Sequence, residues 1–282
     1  MMMPRRIAVC RLVFGLATLV TLCPTFADSS DSAPTTGRTY ALIVTGVSRD
    51  AGYRLARDRM VEALRAYLAG PAGPEPTELT VLGGDNLGLS DPNTKATADN
   101  VKAAVDSLAA VIGPQDRFLF YYLGLANAVS ETLRFNLPGS DVTHETLAGW
   151  LNPLKADTQV IVLDCPCAAL AAKALAARGR IIVCASTATQ AYSTNLTARF
   201  VPALTQKEND TNADGRVSLL EAFTATAQET EQWYRNLQCL ATETPCLEDN
   251  GDGVPSERPW RYEADGGDGA RASALFFAAG EE

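Results

Sequence analysis

The sequence predicts an α/β fold: a three-layer sandwich around a mostly parallel sheet, followed by a loop-rich acidic C-terminal tail. Three observations predict it. Short, nearly continuous apolar runs recur along the chain, as strands buried on both faces require. Between them lie segments whose apolar residues recur every three or four positions, as in helices with one buried face. The two kinds alternate, and strand–helix–strand order places parallel strands under covering helices.

The elements follow in order. "YALIVTG" (40–46) is a buried strand, and "RLARDRMVEALRAYL" aligns Met60, Leu64 and Leu68 on one helical face. "LTVLGG" is the second strand. "ATADNVKAAVDSLAAVI" lines up Val101, Val105, Leu108 and Ile112 on a second helix. "RFLFYYLG" is the third strand, "THETLAGWLNPL" a short helix, and "QVIVLD" the fourth strand. "AALAAKALAARG" is a helix and "RIIVCAS" the fifth strand. From about residue 238 the chain turns loop-rich and acidic, giving a tail (238–282) packed on the domain (39–237). In sheets of this kind, sites form at the carboxyl ends of the strands. Those ends read "TGVSRD", "GGDN", "LGLA", "DCPC" and "CAST".

Residues 1–27 read as a signal peptide, with Arg5 and Arg6 before an apolar stretch and "TFA" as the cleavage pattern. Residues 28–38, "DSSDSAPTTGR", have the polar composition of a disordered lead-in. The expected location is therefore exported, periplasmic or extracellular, with no membrane span after cleavage. Cleavage removes three arginines and no acid, shifting the net charge from -9 to -12. Such a surface repels nucleic acid and anionic membranes and favours cations. Five cysteines remain: Cys165, Cys167, Cys184, Cys239 and Cys246. An oxidising compartment allows pairing, and Cys239 with Cys246 is the easiest pair to propose. An odd count leaves at least one thiol over.

"FYYLGLA" and "LDCPCAA" resemble two strand ends of the caspase and legumain-like cysteine peptidases. "ATADNVKAAVDSL" and "CASTATQAYS" resemble two further segments of that family, and the resemblance spans roughly residues 39–237. "RFNLPGSD", "DGRVSLLEAF" and "LATETPCLEDNGDG" look like a group of exported bacterial proteins with this fold and often a degenerate site. The resemblance implies a caspase-like sheet, with a catalytic histidine just after Gly124 and a nucleophilic cysteine two residues after Asp164. This chain has Leu125 and Pro166 at those positions. Leucine moves no proton, and proline has no N–H for an oxyanion hole. The one histidine of the chain, His144, lies on a different segment.

Cys165 and Cys167 have several readings. They are packing thiols at a strand end, with one of them paired to Cys184, or one is a displaced nucleophile served by Glu145 or Asp164 as base. C-x-C thiol exchange or metal use is a further reading. Asp164 is either an acid group or a helix cap. Cys165 falls on the face opposite the site if the strand continues to it. Cys167 falls in the following turn, where a helix N-terminus can lower a thiol pKa.

"DTNADGRVSLLE" (210–221) fits the EF-hand loop D-x-N-x-D-G-x5-E. Asp210, Asn212 and Asp214 supply side-chain oxygens, Arg216 its carbonyl, Ser218 a water bridge and Glu221 two oxygens to Ca2+. A metal-free turn capping the next helix is the alternative. "EDNGDG" (248–253) is a second acidic turn, without a glutamate at the twelfth position. These observations point to an exported pseudopeptidase, a calcium-stabilised binding or scaffold module with an unknown protein or peptide partner. The alternative is an active cysteine peptidase using Cys167 or Cys165.

Overall fold

Strand β1 (Thr39–Thr45) is buried along its whole length, because both its faces are covered. The computed structural model that places it describes residues 37–71, 73–74, 77–84, 94–261 and 267–277. The expected signal peptide and the lead-in up to residue 36 lie outside the described residues. Among the described residues no helix is long and apolar enough to cross a membrane.

Helix α1 (Ala51–Ala69) starts where the Asp50 carboxylate accepts the Tyr53 N–H at 2.8 Å. It leads to β2 (Thr77–Leu82). Thr97 caps α2 (Ala98–Val111), which precedes β3 (Arg117–Leu123). A small antiparallel sheet follows: β4 (Ala126–Val129), β5 (Thr132–Phe135) and β6 (Val142–Thr143). The sequence reading contains no hairpin here. Its turn is Ser130-Glu131, with Ser130 at φ 55°, and carries none of the Asn-Gly or Asp-Gly signature that marks such turns.

Thr143 caps α3 (His144–Leu151), and β7 (Thr158–Asp164) follows. The helix expected over 168–179 is shorter: one 3-10 turn at Ala168–Ala171 and one α turn, α4 (Ala172–Leu175). Ala176 leaves the helical region, and Gly179 lies so close to the Asp157 carbonyl that a Cβ would collide with it. The chain then enters β8 (Arg180–Cys184), α5 (Leu196–Ala203) and α6 (Leu219–Asn236). The acidic tail supplies β9 (Cys246–Glu248) and α7 (Ala270–Ser273).

The main sheet has the order β2-β1-β3-β7-β8-β9. Every pairing in it is parallel except β8 with β9. Side chains alternate between two cores, as the pleat dictates. Leu42, Val44, Phe120, Tyr122, Ile161, Leu163 and Ile182 face α2, α3 and the 168–175 segment. Ala41, Ile43, Leu119, Tyr121, Val160, Val162 and Val183 face α1, α5 and α6. Fully burying one such aliphatic or aromatic side chain is worth about 1.5–3 kcal/mol. This is the three-layer α/β arrangement that the apolar runs and amphipathic segments imply. The sixth strand comes from the segment expected to be a loop-rich tail.

Candidate functional site at the carboxyl ends of the strands

The register sets Thr45 of β1, Leu123 of β3 and Asp164 of β7 in one row. Beyond that row the backbones close on each other. Gly46 N–H donates to the Leu123 carbonyl at 3.1 Å, and Gly124 N–H to the Asp164 carbonyl at 3.1 Å. A Cβ on Gly124 would sit 2.6 Å from the Gly46 nitrogen, so only glycine permits this approach. Arg57, fully buried on α1, donates to the Gly46 carbonyl at 2.6 Å. Backbone and Arg57 thus pack together where β1 and β3 end.

Leu125 follows Gly124, and its carbonyl accepts the Tyr122 hydroxyl at 2.6 Å and the Asn136 N–H at 3.1 Å. His144 opens α3, buried, where its Nδ1 accepts the Leu133 N–H at 3.1 Å and lies 3.3 Å from the Glu145 carboxylate. Both belong to α3, and neither is on the strand-end row.

Asp164 is 2% exposed and saturated. One oxygen accepts the Thr194 hydroxyl at 2.5 Å. The other accepts the Thr197 N–H at 2.8 Å and its hydroxyl at 2.5 Å. Of the two roles foreseen for it, capping is the one these contacts describe. The helix is α5, across the sheet end, and not the one that follows in sequence.

Cys165 turns to the opposite face and is fully buried among Leu163, Cys184 and Tyr122. Burial, then the charges of Asp164 and Cys167, push its thiol well above the ordinary range. Pro166 is buried between the two cysteines. Cys167 takes a left-handed backbone (φ 53°) and donates its N–H to the Gln190 carbonyl at 2.9 Å. Its thiol is raised by burial, contrary to the lowering expected of a helix N-terminus.

The five cysteines among the described residues are free thiols. The expected Cys239–Cys246 pair is corrected by position. Cys239 is exposed beyond α6, whereas Cys246 is buried on β9, directly opposite Cys184 of β8. A thiol-to-thiol hydrogen bond with Cys246 is the largest cause that raises the Cys184 pKa. Cys184 is therefore the neighbour of Cys246, and its expected bond to Cys165 or Cys167 is not present.

Several residues at this end carry no sequence pattern that marks them. Glu243, 3% exposed, comes from the loop before β9 and accepts the Asn195 N–H at 2.6 Å. Its other oxygen lies 3.3 Å from Arg199, which also stacks on Trp233. Burial pushes the Glu243 carboxyl up to about 7. Asp164 adds to the rise, while Asn195 and Arg199 oppose it. Tyr53, on the first turn of α1, has its phenol raised by burial and by the nearby Asp164 and Cys165. The only available signal for this side of the site was the i, i+4 spacing of Tyr53 and Arg57 on one helical face.

The 210–221 loop forms a compact turn before α6. Asp210 accepts the Asp214 N–H (3.1 Å) and the Gly215 N–H (2.9 Å), and Asn212 Oδ1 accepts the Asp214 N–H (2.9 Å). Asp214 accepts the Arg216 N–H at 3.0 Å, and the Arg216 side chain lies over the Phe276 ring. Gly215 has φ 88°, with open space around it, so its role is conformational. Glu221 spans the loop: Oε1 accepts the N–H groups of Thr211 and Asn212, and Oε2 accepts the N–H and the hydroxyl of Ser218. Ser218 and Glu221 also form a capping box on α6. Burial would raise the Glu221 carboxyl, but the bonds from Ser218 and Thr211 hold it below its ordinary range. Among the described residues no three acidic, histidine or cysteine side chains are set together as a metal cluster. An EF-type loop also draws on amide oxygen, backbone carbonyl and water.

No family model and no curated protein matches the chain. Among solved structures, the crystal structure of caspase-1 from Spodoptera frugiperda aligns with 76% of this chain and 87% of that one, at 10% sequence identity and a TM-score of 0.46.

Proposed function

We propose that this protein is an exported, non-catalytic relative of the caspase and legumain-like peptidases that works as a binding or scaffold module and is stabilised by calcium at residues 210–221. One observation carries the reading. The positions where the resemblance calls for a proton-transferring histidine and a nucleophile are Leu125 and Pro166, and no group beside them takes over. Asp164 spends one oxygen on Thr194 and the other on Thr197 of α5. Cys165 is sealed in the core with a raised pKa, and His144 is engaged with Leu133. A thiol with a raised pKa and no base is a poor nucleophile.

The second reading, an active cysteine peptidase using Cys167, is favoured by the left-handed backbone of Cys167. Strain of this sort is more common at functional positions. Its raised pKa and its 3% exposure oppose it.

The test is turnover of a fluorogenic peptide library by the full chain, with and without calcium. We expect no cleavage above buffer in either condition. Cleavage that disappears in Cys167→Ala overturns the proposal.

A further inference from the structure

The acidic turn at 248–253 lacks the twelfth-position glutamate of an EF-hand loop when it is read along the sequence. In space the position is filled. With Glu248 as the first residue, Asn250 falls third, Asp252 fifth and Gly253 sixth, as Asp210, Asn212, Asp214 and Gly215 do in the 210–221 loop. The bonding repeats as well. Asn250 Oδ1 accepts the Asp252 N–H at 2.8 Å, and Asp252 Oδ1 accepts the Val254 N–H at 2.7 Å. Gly253 has φ 76°, against 88° for Gly215. In the first loop Glu221 accepts the N–H groups of the second and third positions. In the second, Asp268 accepts the same two: Asp249 N–H at 3.0 Å, and Asn250 N–H. Asp268 is brought from beyond the loop by Asp249, whose carboxylate accepts the N–H groups of Gly269 (2.8 Å) and Ala272 (2.7 Å).

A separate observation points to a missing positive partner. Glu248 is fully buried. Its Oε1 accepts the Gly251 N–H at 2.5 Å and lies 3.4 Å from the Gly253 nitrogen, which places the carboxylate inside the turn. Its Oε2 is buried and has no hydrogen-bond partner among the described residues. A buried, unpartnered carboxylate oxygen beside further carboxylates is costly unless a proton or a cation compensates it. Hard oxygen donors of this kind, with an amide and a backbone carbonyl, suit calcium.

We infer that Glu248, Asn250, Asp252 and Asp268, with the Val254 carbonyl, close around calcium as a second site whose last carboxylate comes from a separate segment; without the ion the three carboxylates are not gathered into a cluster. The site ties β9 to the 267–277 segment, as the first loop ties its turn to α6. It stands on its own residues and does not depend on the first loop binding metal.

The test is equilibrium dialysis of the calcium-free full chain against about 5 mM calcium, above the range of extracellular modules. Wild type is compared with Asp268→Asn, Asp252→Asn and Glu221→Gln, and circular dichroism monitors the fold. Asp252 is exposed, so its variant keeps the test valid if Asp268→Asn fails to fold. We expect two ions per chain in wild type. Each of Asp268→Asn and Asp252→Asn should lose one of them, and Glu221→Gln should keep that one and lose the other. Wild-type stoichiometry in a folded Asp268→Asn or Asp252→Asn variant overturns the inference. So does a single wild-type ion that Glu221→Gln abolishes, although that result supports the first loop. A single ion lost in Asp268→Asn but kept in Glu221→Gln supports the second site and overturns the first. No binding in wild type overturns both.

Discussion

Glu243→Gln should flatten the pH dependence of stability. Glu243 is 3% exposed, close to Asp164, and its carboxyl titrates at about 7 in the fold against 4.5 for an ordinary glutamate. Arg199 at 3.3 Å and the Asn195 N–H favour the charged form, but burial and Asp164 outweigh them. Below pH 4.5 the carboxyl is protonated in both states, and its contribution to stability is fully present. Between 4.5 and 7 only the folded state holds the proton, so stability falls as pH rises through that window. At 1.36 kcal/mol per pKa unit the whole interval corresponds to about 3 kcal/mol, of which about 2 kcal/mol lies between pH 5 and 8. Urea unfolding of wild type and Glu243→Gln at pH 5, 6, 7 and 8 measures it. Wild type should lose about 2 kcal/mol more than the variant across that range. Parallel curves would refute the argument, because they would mean that Glu243 is ionised in the fold throughout.

Asp164→Ala removes the acceptor of three buried donors from Thr194 and Thr197, and should destabilise the protein by about 3–5 kcal/mol in urea titration. Calcium should raise the melting temperature of wild type. At a hundredfold excess over Kd the stabilisation is about 2.7 kcal/mol per site, and Glu221→Gln should lose the share of the 210–221 loop. Among the five cysteines from 165 to 246, a thiol reagent followed by peptide mapping should modify Cys239 within the mixing time. Cys165, Cys184 and Cys246 should react only on unfolding, since they are buried and Cys239 is exposed.

The main sheet was legible because its strands are buried on both faces. "YALIVTG", "RFLFYYLG" and "QVIVLD" are apolar at nearly every position and rich in β-branched and aromatic residues, as strands covered on both faces are. The β4–β5 hairpin was not legible, because Ser130-Glu131 has no turn signature and the strands are short. The position of Cys165 followed from the pleat: one residue past Asp164 is the opposite face. The geometry of Cys246 did not follow, since a spacing of seven positions from Cys239 says nothing about a strand that pairs with β8. Glu243 and Asp268 were hidden for the same reason. Each is one acidic residue in an acidic tail, and its role comes from contacts with Asn195 and Asp249, which lie far from it in sequence. Local periodicity reports what a segment buries, and it carries no information on which distant amide a carboxylate will reach.

Covalent trapping tests the absence of a working nucleophile most directly. The full chain, with and without calcium, is exposed to peptidyl acyloxymethyl ketones of varied sequence and read by intact mass, with Cys165→Ala and Cys167→Ala as controls. The buried, raised thiols predict no adduct on either residue while the protein stays folded. Stoichiometric labelling that vanishes in one of the two variants would contradict the account and identify the nucleophile.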